Sequence, residues 1–600
     1  MCGIVGYIGK KDTTKFLLEG LKELEYRGYD SAGIALLNQE KIDVFKALGK
    51  LENLENKVNN ANLSKYPIGI GHTRWATHGK PTELNAHPHL GEYSYVVHNG
   101  IVENYKELKD ELISKGHKFV SQTDTEVIVH LFENLYNSLL DTKKAFETTI
   151  SRLEGAFSIL LISKADPEKI FFFKHGSPLI IAKGAEEEEV MFASSDAPLI
   201  GLANEVVYLE DNVGGIATAK GIEFFSDNYS WSNLPSSKQF AQKDGFRFFM
   251  EKEIYEQSDV VSDCMLGRLK DDGIYFDEIE PSLFDGIKEI KICACGTSYH
   301  AGLTSSYLFE RLARVKCSVE IASEFRYKEP LLSDDTLFIV ISQSGETADT
   351  LEALKMANKA GLKSLVVCNV DNSSMTRTAD YTILTRAGIE KGVASTKAFS
   401  TQAVVLWMLA LYIGKLKQNI TNEKLEEELQ ALREVPKSLI VCDKIHEKTR
   451  RLSKRYLHGH GFFFIGRDVF FPLALEGALK LKEISYLHAE GYPAGEMKHG
   501  PIALADPELF TIALMPQNLL YDKIKSNVEE LSARDSTICA ISPLDFELAD
   551  DFIKLKKTDH YMLEFFEMLV VLQLLSMEIS IRLGNDVDMP RNLAKSVTVE

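Results

Sequence analysis

The chain has 600 residues, 45% hydrophobic and 26% charged, more than one core usually holds, so two to four domains are expected. Its net charge of −19 argues against a general nucleic-acid or anionic-membrane surface, although an anion can still bind in a local donor-rich pocket. The eight cysteines are scattered and no basic-then-apolar leader opens the sequence, so reduced thiols and a cytoplasmic location are expected.

The chain opens on "MCGIVGYIGK". Once Met1 is trimmed, Cys2 carries a thiol and a free α-amino group on one carbon. The thiolate is a nucleophile, and an α-amino group of pKa about 7.7–8.0 can serve as its built-in base. The plain alternative is a small buried residue ahead of an apolar strand. Up to about residue 240, "CGIVGYIG", "SAGIALL", "IGIGHTRWAT", "YSYVVHNG" and "FSILLIS" read as strands, and "TKFLLEGLKELE" and "TEVIVHLFENLY" as helices. The expected layout is strand-rich layers covered by helices. In "GHTRWATHG", Arg74 offers a planar fork for a carboxylate; in "VHNG", Asn99 and Gly100 offer an amide and a backbone N–H for an oxyanion; in "SQTDTE", Asp124 suits an ammonium. Together with Cys2 these describe a small amino acid attacked at its side chain. Five histidines between positions 72 and 98 invite a zinc reading, but their spacings match no metal signature.

"AQKDGFRFFMEKEIYEQSD" then reads as a polar and aromatic bridge, beyond which strand–loop–helix units begin. Gly296 corresponds to Gly466 at an offset of 170, and Leu337-Phe338 to Leu509-Phe510 and Ser364 to Ser536 at 172. Two similar α/β halves with parallel sheets follow from that constancy. "AVVLWMLALYIG" is a buried helix rather than a membrane span, and Cys293-x-Cys295 is packing. In the first half "SQSGETADT" crowds Ser342, Gln343, Ser344 and Thr347 around Gly345 at a helix start, which suits an anion or an ordinary cap. The second half has "LMPQNLLYD" there, so one phosphate site per chain is expected. Its helix instead places Glu476, Lys480 and Glu483 on one face, a pattern that by spacing alone reads as a solvated salt-bridge row. Lys595, near the end, reads as a solvated tail residue.

Several of these stretches carry a family resemblance. "CGIVGYIG", "LEYRGYDSAGIA", "GHTRWATHG", "HNGIVENY" and "SQTDTEVI" resemble class II glutamine amidotransferase domains of the N-terminal-nucleophile type. "CGTSYHAG", "ISQSGETADT", "GVASTKAF", "ALEGALKLKEISYLHAEGYPAGEMKHGPIAL" and "PRNLAKSVTVE" resemble paired sugar-isomerase (SIS) domains. In this order, joined by "FMEKEIYEQ", they resemble the glutamine–fructose-6-phosphate aminotransferase (isomerising) family over essentially the whole chain. The resemblance implies an αββα amidotransferase domain over 2–240, a linker over 241–255, sugar-isomerase domains over 256–435 and 436–585, and a tail over 586–600 that contributes to the active site. It also implies L-glutamine and D-fructose 6-phosphate as substrates, a homodimer, and no metal or redox cofactor.

By that resemblance, Cys2 is the nucleophile, Arg74 and Asp124 anchor glutamine, Asn99 and Gly100 bind the oxyanion, Trp75 gates an internal ammonia channel, and Thr77 and His78 line the glutamine pocket. Thr297, Ser298, Ser342, Gln343, Ser344 and Thr347 form the sugar-phosphate pocket, with Val393 and Ser395 beside it. Lys595 forms the Schiff base, Glu483 moves a proton between C1 and C2, and His499 opens the sugar ring from a neighbouring subunit. Glu476 and Lys480 support that site rather than forming a solvated row. An acceptor other than a sugar phosphate would call for an ATP loop of the SGGLDS kind or an acidic diphosphate motif, and neither is present. A mere sugar-phosphate sensor would need the hydroxyl loop but not Glu483, His499 and Lys595 together.

Overall fold

The computed structural model describes residues 2–39, 41–61, 63, 65–76, 78–184, 188–234 and 242–598; Thr77 lies outside them. The chain divides into two compact units, Met1–Phe240 with Ala594–Glu600, and Ala241–Leu593.

In the first unit, strands β1 (Gly3–Ile8), β2 (Ser31–Leu37) and β3 (Ile68–Arg74) belong to an eight-stranded sheet, with β3 between β1 and β2. Strands β4 (Ser94–Gly100) and β5 (Phe157–Ser163) belong to a six-stranded sheet. Successive side chains of a strand face opposite ways, and here both faces are used. Val5 and Tyr7 pack with Leu17 and Leu21 of helix α1 (Thr13–Leu24), while Ile4 and Ile8 pack with Val97, Leu160 and Phe172 of the other sheet. Val96 and Leu161, on the far side of that sheet, meet Val127 and Leu131 of helix α2 (Glu126–Leu139). Helix, sheet, sheet and helix therefore stack as an αββα sandwich, each fully buried Leu, Ile or Val contributing roughly 1.5–3 kcal/mol.

The second unit holds two five-stranded parallel sheets. The first contains β6 (Glu289–Ala294), β7 (Lys316–Ile321), β8 (Thr336–Ser342), β9 (Lys363–Cys368) and β10 (Tyr381–Leu384), in the order β7-β6-β8-β9-β10. The second contains β11 (Gly461–Gly466), β12 (Ala489–Pro493), β13 (Leu509–Leu514), β14 (Thr537–Ser542) and β15 (Asp551–Lys554), in the order β12-β11-β13-β14-β15. Both sheets share the strand order 2-1-3-4-5, the topology that the constant sequence offset predicts. In each, the order reverses beside the first strand, and the crevice at the carboxyl ends of the first and third strands is where such folds bind ligands.

Residues 242–255 hold helix α3 (Phe249–Tyr255), whose Met250 and Ile254 are fully buried in the core of the second unit. Helix α6 (Lys397–Leu416) is long and apolar enough to cross a membrane, yet 83% of its most apolar window is buried. Between them lie α4 (Gly296–Leu308) and α5 (Ala348–Lys359). Helix α7 (Asn422–Ser438) runs unbroken through position 435, and α8 (Phe470–Ser485), α9 (Tyr521–Ser532) and α10 (Tyr561–Arg582) follow. Residues 586–593 stay with the second unit, whereas Ala594–Glu600 fall with the first.

Candidate functional sites

The thiol in the first unit is placed by strand register. Gly3 of β1 pairs with Thr73 of β3, which brings Cys2 against the residue that follows β3. The Trp75 N–H donates to Cys2 Sγ at 3.3 Å, and the thiol reaches Trp75 O at 3.5 Å. Burial raises the pKa of this thiol, with the Trp75 N–H and the Arg74 guanidinium pulling the other way. A thiol held protonated by burial needs a base before it can attack, and the α-amino group freed by loss of Met1 would be that base.

The expected oxyanion donors, Asn99 and Gly100, lie at the end of β4. Asn99 Nδ2 donates to the Cys2 carbonyl at 3.2 Å, and its Oδ1 lies 3.0 Å from His72 Nε2. The same His72 nitrogen lies 3.0 Å from the His98 carbonyl; with acceptors on both sides, Nε2 carries the proton. Burial, and then the Arg74 charge, depress the His72 pKa to about 3, so the ring is neutral and locks the Asn99 amide with its NH2 toward Cys2. Gly100 has φ +124°, and a Cβ there would stand 2.0 Å from the Ala156 carbonyl oxygen, so only glycine fits. Arg74 is buried, its guanidinium held by the carbonyls of His78, Gly79 (3.1 Å) and Lys80 (3.5 Å). Asp124 is buried as well and accepts the Val102 N–H at 2.8 Å, just past Gly100. Cys2, Arg74, Trp75, Asn99, Gly100 and Asp124 are thus gathered at the ends of β1, β3 and β4. His78 takes part through its carbonyl, and its ring lies edge-on to Tyr105.

The neighbouring histidines form a buried stack. His72 lies over His87 at 4.0 Å, and His87 meets His89 edge-on at 4.6 Å. Several of their nitrogens bond to protein: His98 Nδ1 to Thr125 Oγ1 at 3.0 Å, His89 Nε2 to Thr123 Oγ1 at 3.1 Å, and His87 Nδ1 to the His98 N–H at 3.3 Å, while His72 Nδ1 and His98 Nε2 are buried without a hydrogen bond. Among the described residues they do not bring three ligand atoms to one point.

In the second unit the candidate site lies where the strand order reverses, between β6 and β8. Thr297 and Ser298 start α4 directly after β6, and Ser342 to Thr347 link β8 to α5. Ser342 Oγ accepts the Gly345 N–H at 3.0 Å and lies 3.5 Å from Thr347 Oγ1, while Ser344 Oγ accepts the Glu346 N–H at 3.2 Å. A hydroxyl that accepts an N–H keeps its own proton to donate, so the turn presents donors without a cation. Gly345 has φ +67°, and a Cβ would come within 2.0 Å of Ser373 Oγ.

The row on α8 is buried, not solvated. Glu476 and Lys480 are each 1% exposed, while the Glu483 side chain is 21% exposed. Lys480 Nζ lies 2.6 Å from Glu483 Oε2, 3.4 Å from Glu476 Oε1 and 3.2 Å from Thr297 Oγ1. Burial alone would lower the Lys480 pKa, but the two carboxylates outweigh it and hold the ammonium protonated. Burial likewise raises the Glu476 pKa, and Lys480, His300 and Thr297 bring it below its usual value. Thr297 donates to Glu476 at 3.0 Å and His300 contacts it at 2.7 Å, so this network joins α4 of one half to α8 of the other. A charge row turns inward when a neighbouring helix supplies polar partners, and spacing along one helix does not reveal that neighbour.

Ser298, Ser395 and Val393 of the second unit are held by hydrogen bonds of their own. Gln402 Nε2 donates to Ser298 Oγ at 3.1 Å, Ser395 Oγ donates to Glu390 at 3.1 Å, and the Val393 N–H goes to the Asp588 carbonyl at 3.0 Å. Gln343 is half-buried in the turn, His499 is exposed at the end of the turn Ala494–His499, and Lys595 is half-buried. Sequence reasoning passed over His300, Glu390 and Gln402, and met His72 only as a possible zinc ligand. Of the three missed residues only His300, one helical turn after Thr297, carried a spacing signal.

The equivalent crevice of the second half is already filled. Between β13 and α9 the Gln517 and Asn518 N–H groups donate to Glu564 of α10 at 3.0 and 3.1 Å, where the first half has its hydroxyl turn. A buried side-chain carboxyl takes the anion's place there.

Comparison with known proteins identifies the domains of both units. Residues 74–200 match a glutamine amidotransferase domain model, and residues 284–412 and 459–563 match an SIS domain model. The chain is 61% identical to a glutamine–fructose-6-phosphate aminotransferase (isomerising) of Campylobacter jejuni and 55% identical to one of Helicobacter pylori, each over all of both chains. A solved C-terminal domain of glucosamine-fructose-6-phosphate aminotransferase from Francisella tularensis aligns with 58% of this chain and all of its own, with a TM-score of 0.56 and 42% identity. The chain therefore belongs to the glutamine–fructose-6-phosphate aminotransferase (isomerising) family.

Proposed function

We propose that this protein transfers the amide nitrogen of L-glutamine to D-fructose 6-phosphate and isomerises the product to D-glucosamine 6-phosphate, releasing L-glutamate, the entry reaction of hexosamine synthesis. The observation that carries this reading is the pairing within one chain of Cys2 facing Asn99 with a buried Glu476–Lys480–Glu483 row beside a hydroxyl-lined turn. The first frees nitrogen; the second fits a phosphorylated ketose.

In this reading, Arg74 binds the glutamine α-carboxylate and Asp124 its ammonium, with Thr77 and His78 lining the pocket. Cys2 Sγ, deprotonated by its own α-amino group, adds to the carboxamide carbon while Asn99 Nδ2 and the Gly100 N–H hold the oxyanion. The C–N bond breaks, the amino group returns the proton to the leaving ammonia, and water hydrolyses the thioester to glutamate. Trp75 gates the release of ammonia, which in neutral water would become mostly ammonium and cease to be a nucleophile.

Ser342, Gln343, Ser344, Thr347, Thr297 and Ser298 hold the phosphate and hydroxyls of the sugar, with Val393 and Ser395 beside them, and His499 opens the ring across a subunit contact. Lys595 Nζ adds to C2 with loss of water, and ammonia then displaces the lysine to leave an imine. Glu483, held by Lys480, removes a proton from C1 and returns it at C2, leaving an aldehyde and an amine. Every step is redox-neutral. We place the enzyme in the cytoplasm as a homodimer without nucleic-acid or membrane partners; the net charge of −19 and the exposed His499 support this. The test is glucosamine 6-phosphate formation from the two substrates by the parent protein, by Cys2→Ala and by Lys595→Ala. The parent forms product and neither variant does; a parent without product, or a fully active variant, contradicts the assignment.

A further inference from the structure

The chain leaves the first unit after residue 240 and re-enters it after residue 593. Both crossings are rooted at one side chain. Asp588, five residues before the return, is 5% exposed; its Oδ2 accepts the Phe249 N–H and its Oδ1 the Met250 N–H, each at 2.9 Å. These two groups open helix α3, just beyond the first crossing, and Lys243 Nζ adds a contact to Asp588 Oδ2 at 3.2 Å. The first N–H groups of a helix have no partner within it, and a helix of seven residues does not hold itself together in water. α3 is therefore held by what grips it.

A second grip leads to the sugar site. Glu253 of α3 accepts the Lys391 N–H at 2.5 Å and the Gly392 N–H at 3.2 Å through Oε1. The next residue, Val393, donates its N–H to the Asp588 carbonyl at 3.0 Å. Asp588 is fixed in turn by Asp586, whose Oδ1 accepts the Asp588 and Met589 N–H groups, each at 3.1 Å. The loop that carries Val393 and Ser395 is thus bonded on one side to the helix after the outgoing crossing and on the other to the segment before the returning one, which leads to Lys595.

We propose that Asp588 is a positioning residue that couples occupancy of the sugar pocket to both crossings between the units, so that nitrogen freed from glutamine is delivered to the ketose rather than lost. This rests on the reading that Val393 and Ser395 border the bound sugar phosphate and that Lys595 takes its carbonyl. A shift of the 391–395 loop when sugar binds reaches α3 through Glu253 and the tail through Asp588. Contacts of a few hydrogen bonds shared by two states are the scale on which such coupling operates.

The test measures glucosamine 6-phosphate formed per glutamate released, together with glutamine hydrolysis in the absence of sugar and KM for fructose 6-phosphate. Asp588→Asn keeps the volume but turns an NH2 toward one of the two N–H donors. The expected result is a fall of at least about threefold in product per glutamate and a rise in KM for the sugar, with glutamine hydrolysis alone within about twofold of the parent. Glu253→Gln, which leaves Asp588 in place, should shift the ratio the same way and carries the test should Asp588→Asn not fold. An unchanged ratio overturns the proposal, including one in which both activities fall together, because a purely structural role would produce that. A parent that makes product while the variants keep its ratio refutes the coupling alone; a parent that makes none refutes the functional reading beneath it.

Discussion

Lys480→Met tests whether the buried row of α8 works as a unit. Lys480 is 1% exposed and binds Glu483 at 2.6 Å, Glu476 at 3.4 Å and Thr297 at 3.2 Å. Methionine matches the length of the stem but removes the charge, leaving Glu476 and Glu483 without their shared cation. Removing one partner of a buried pair costs about 3–5 kcal/mol, far more than the roughly 0–1 kcal/mol of a solvated pair, so the figure separates a buried network from the exposed row that helical spacing alone suggests. Part of the loss is relieved because Glu476 keeps Thr297 at 3.0 Å and His300 at 2.7 Å, which favours the low end, about 3 kcal/mol. Glu483 loses its positioning contact, and a displaced general base forfeits up to about 100- to 10,000-fold in rate. Denaturant unfolding of the second unit's transition gives the stability loss, and parallel assays give glutaminase and amino-sugar rates. The expected outcome is about 3 kcal/mol lost and amino-sugar formation down at least about 100-fold, with glutamine hydrolysis within about twofold. A loss below about 1 kcal/mol with full synthesis would refute the reasoning. The double variant Glu476→Gln with Lys480→Met should regain stability but not activity, because it removes one stranded charge without restoring the base.

Other outcomes follow from the same geometry. Gly100→Ala should lower glutamine hydrolysis by at least about 100-fold, because the Cβ meets the Ala156 carbonyl at 2.0 Å and displaces the oxyanion N–H; steady-state hydrolysis measures it. His72→Phe should leave the Asn99 amide free to turn, reducing glutaminase kcat more than it raises KM for glutamine. Burial pushes the Glu564 carboxyl up to about 7 from its usual 4.5, so the folded state holds an extra proton between those values and stability falls as pH rises through that window. Glu567, also pushed up to about 7 by burial, adds to the same slope, so Glu564→Gln should remove only the share of Glu564, on the order of 3 kcal/mol in denaturant titrations at several pH values. Finally, mixing inactive His499→Ala with inactive Lys595→Ala should restore amino-sugar formation if His499 serves a neighbouring subunit, and no recovery after subunit exchange would reject a shared site.

Much of this was legible along the chain because the informative signals are local. The runs beginning at Gly3 and Ile68 mark strands, and their register then decides that Cys2 faces Trp75. The halves of the second unit are visible because a repeated topology repeats its apolar strands and turn glycines at constant spacing. The rest depends on partners distant in sequence. Glu476 and Lys480 read as a solvated row since Thr297 and His300, which turn them inward, lie nearly 180 positions earlier. Residues 242–255 look like a bridge by composition, but Asp588 and Glu253 bond α3 into the second unit. The part Glu564 plays in capping the 517–518 turn was invisible for the same reason. A carboxylate in a long apolar helix announces nothing until the loop it caps is known.

The central claim is that nitrogen leaves glutamine at Cys2 and arrives on the sugar held by Lys595. Incubating the protein with amide-15N glutamine, fructose 6-phosphate and excess unlabelled ammonium, then weighing the product by mass spectrometry, tests it directly. The account predicts glucosamine 6-phosphate carrying 15N almost undiluted, and none when Cys2→Ala replaces the parent. Product that carries only unlabelled nitrogen, or labelled product from Cys2→Ala, would contradict it.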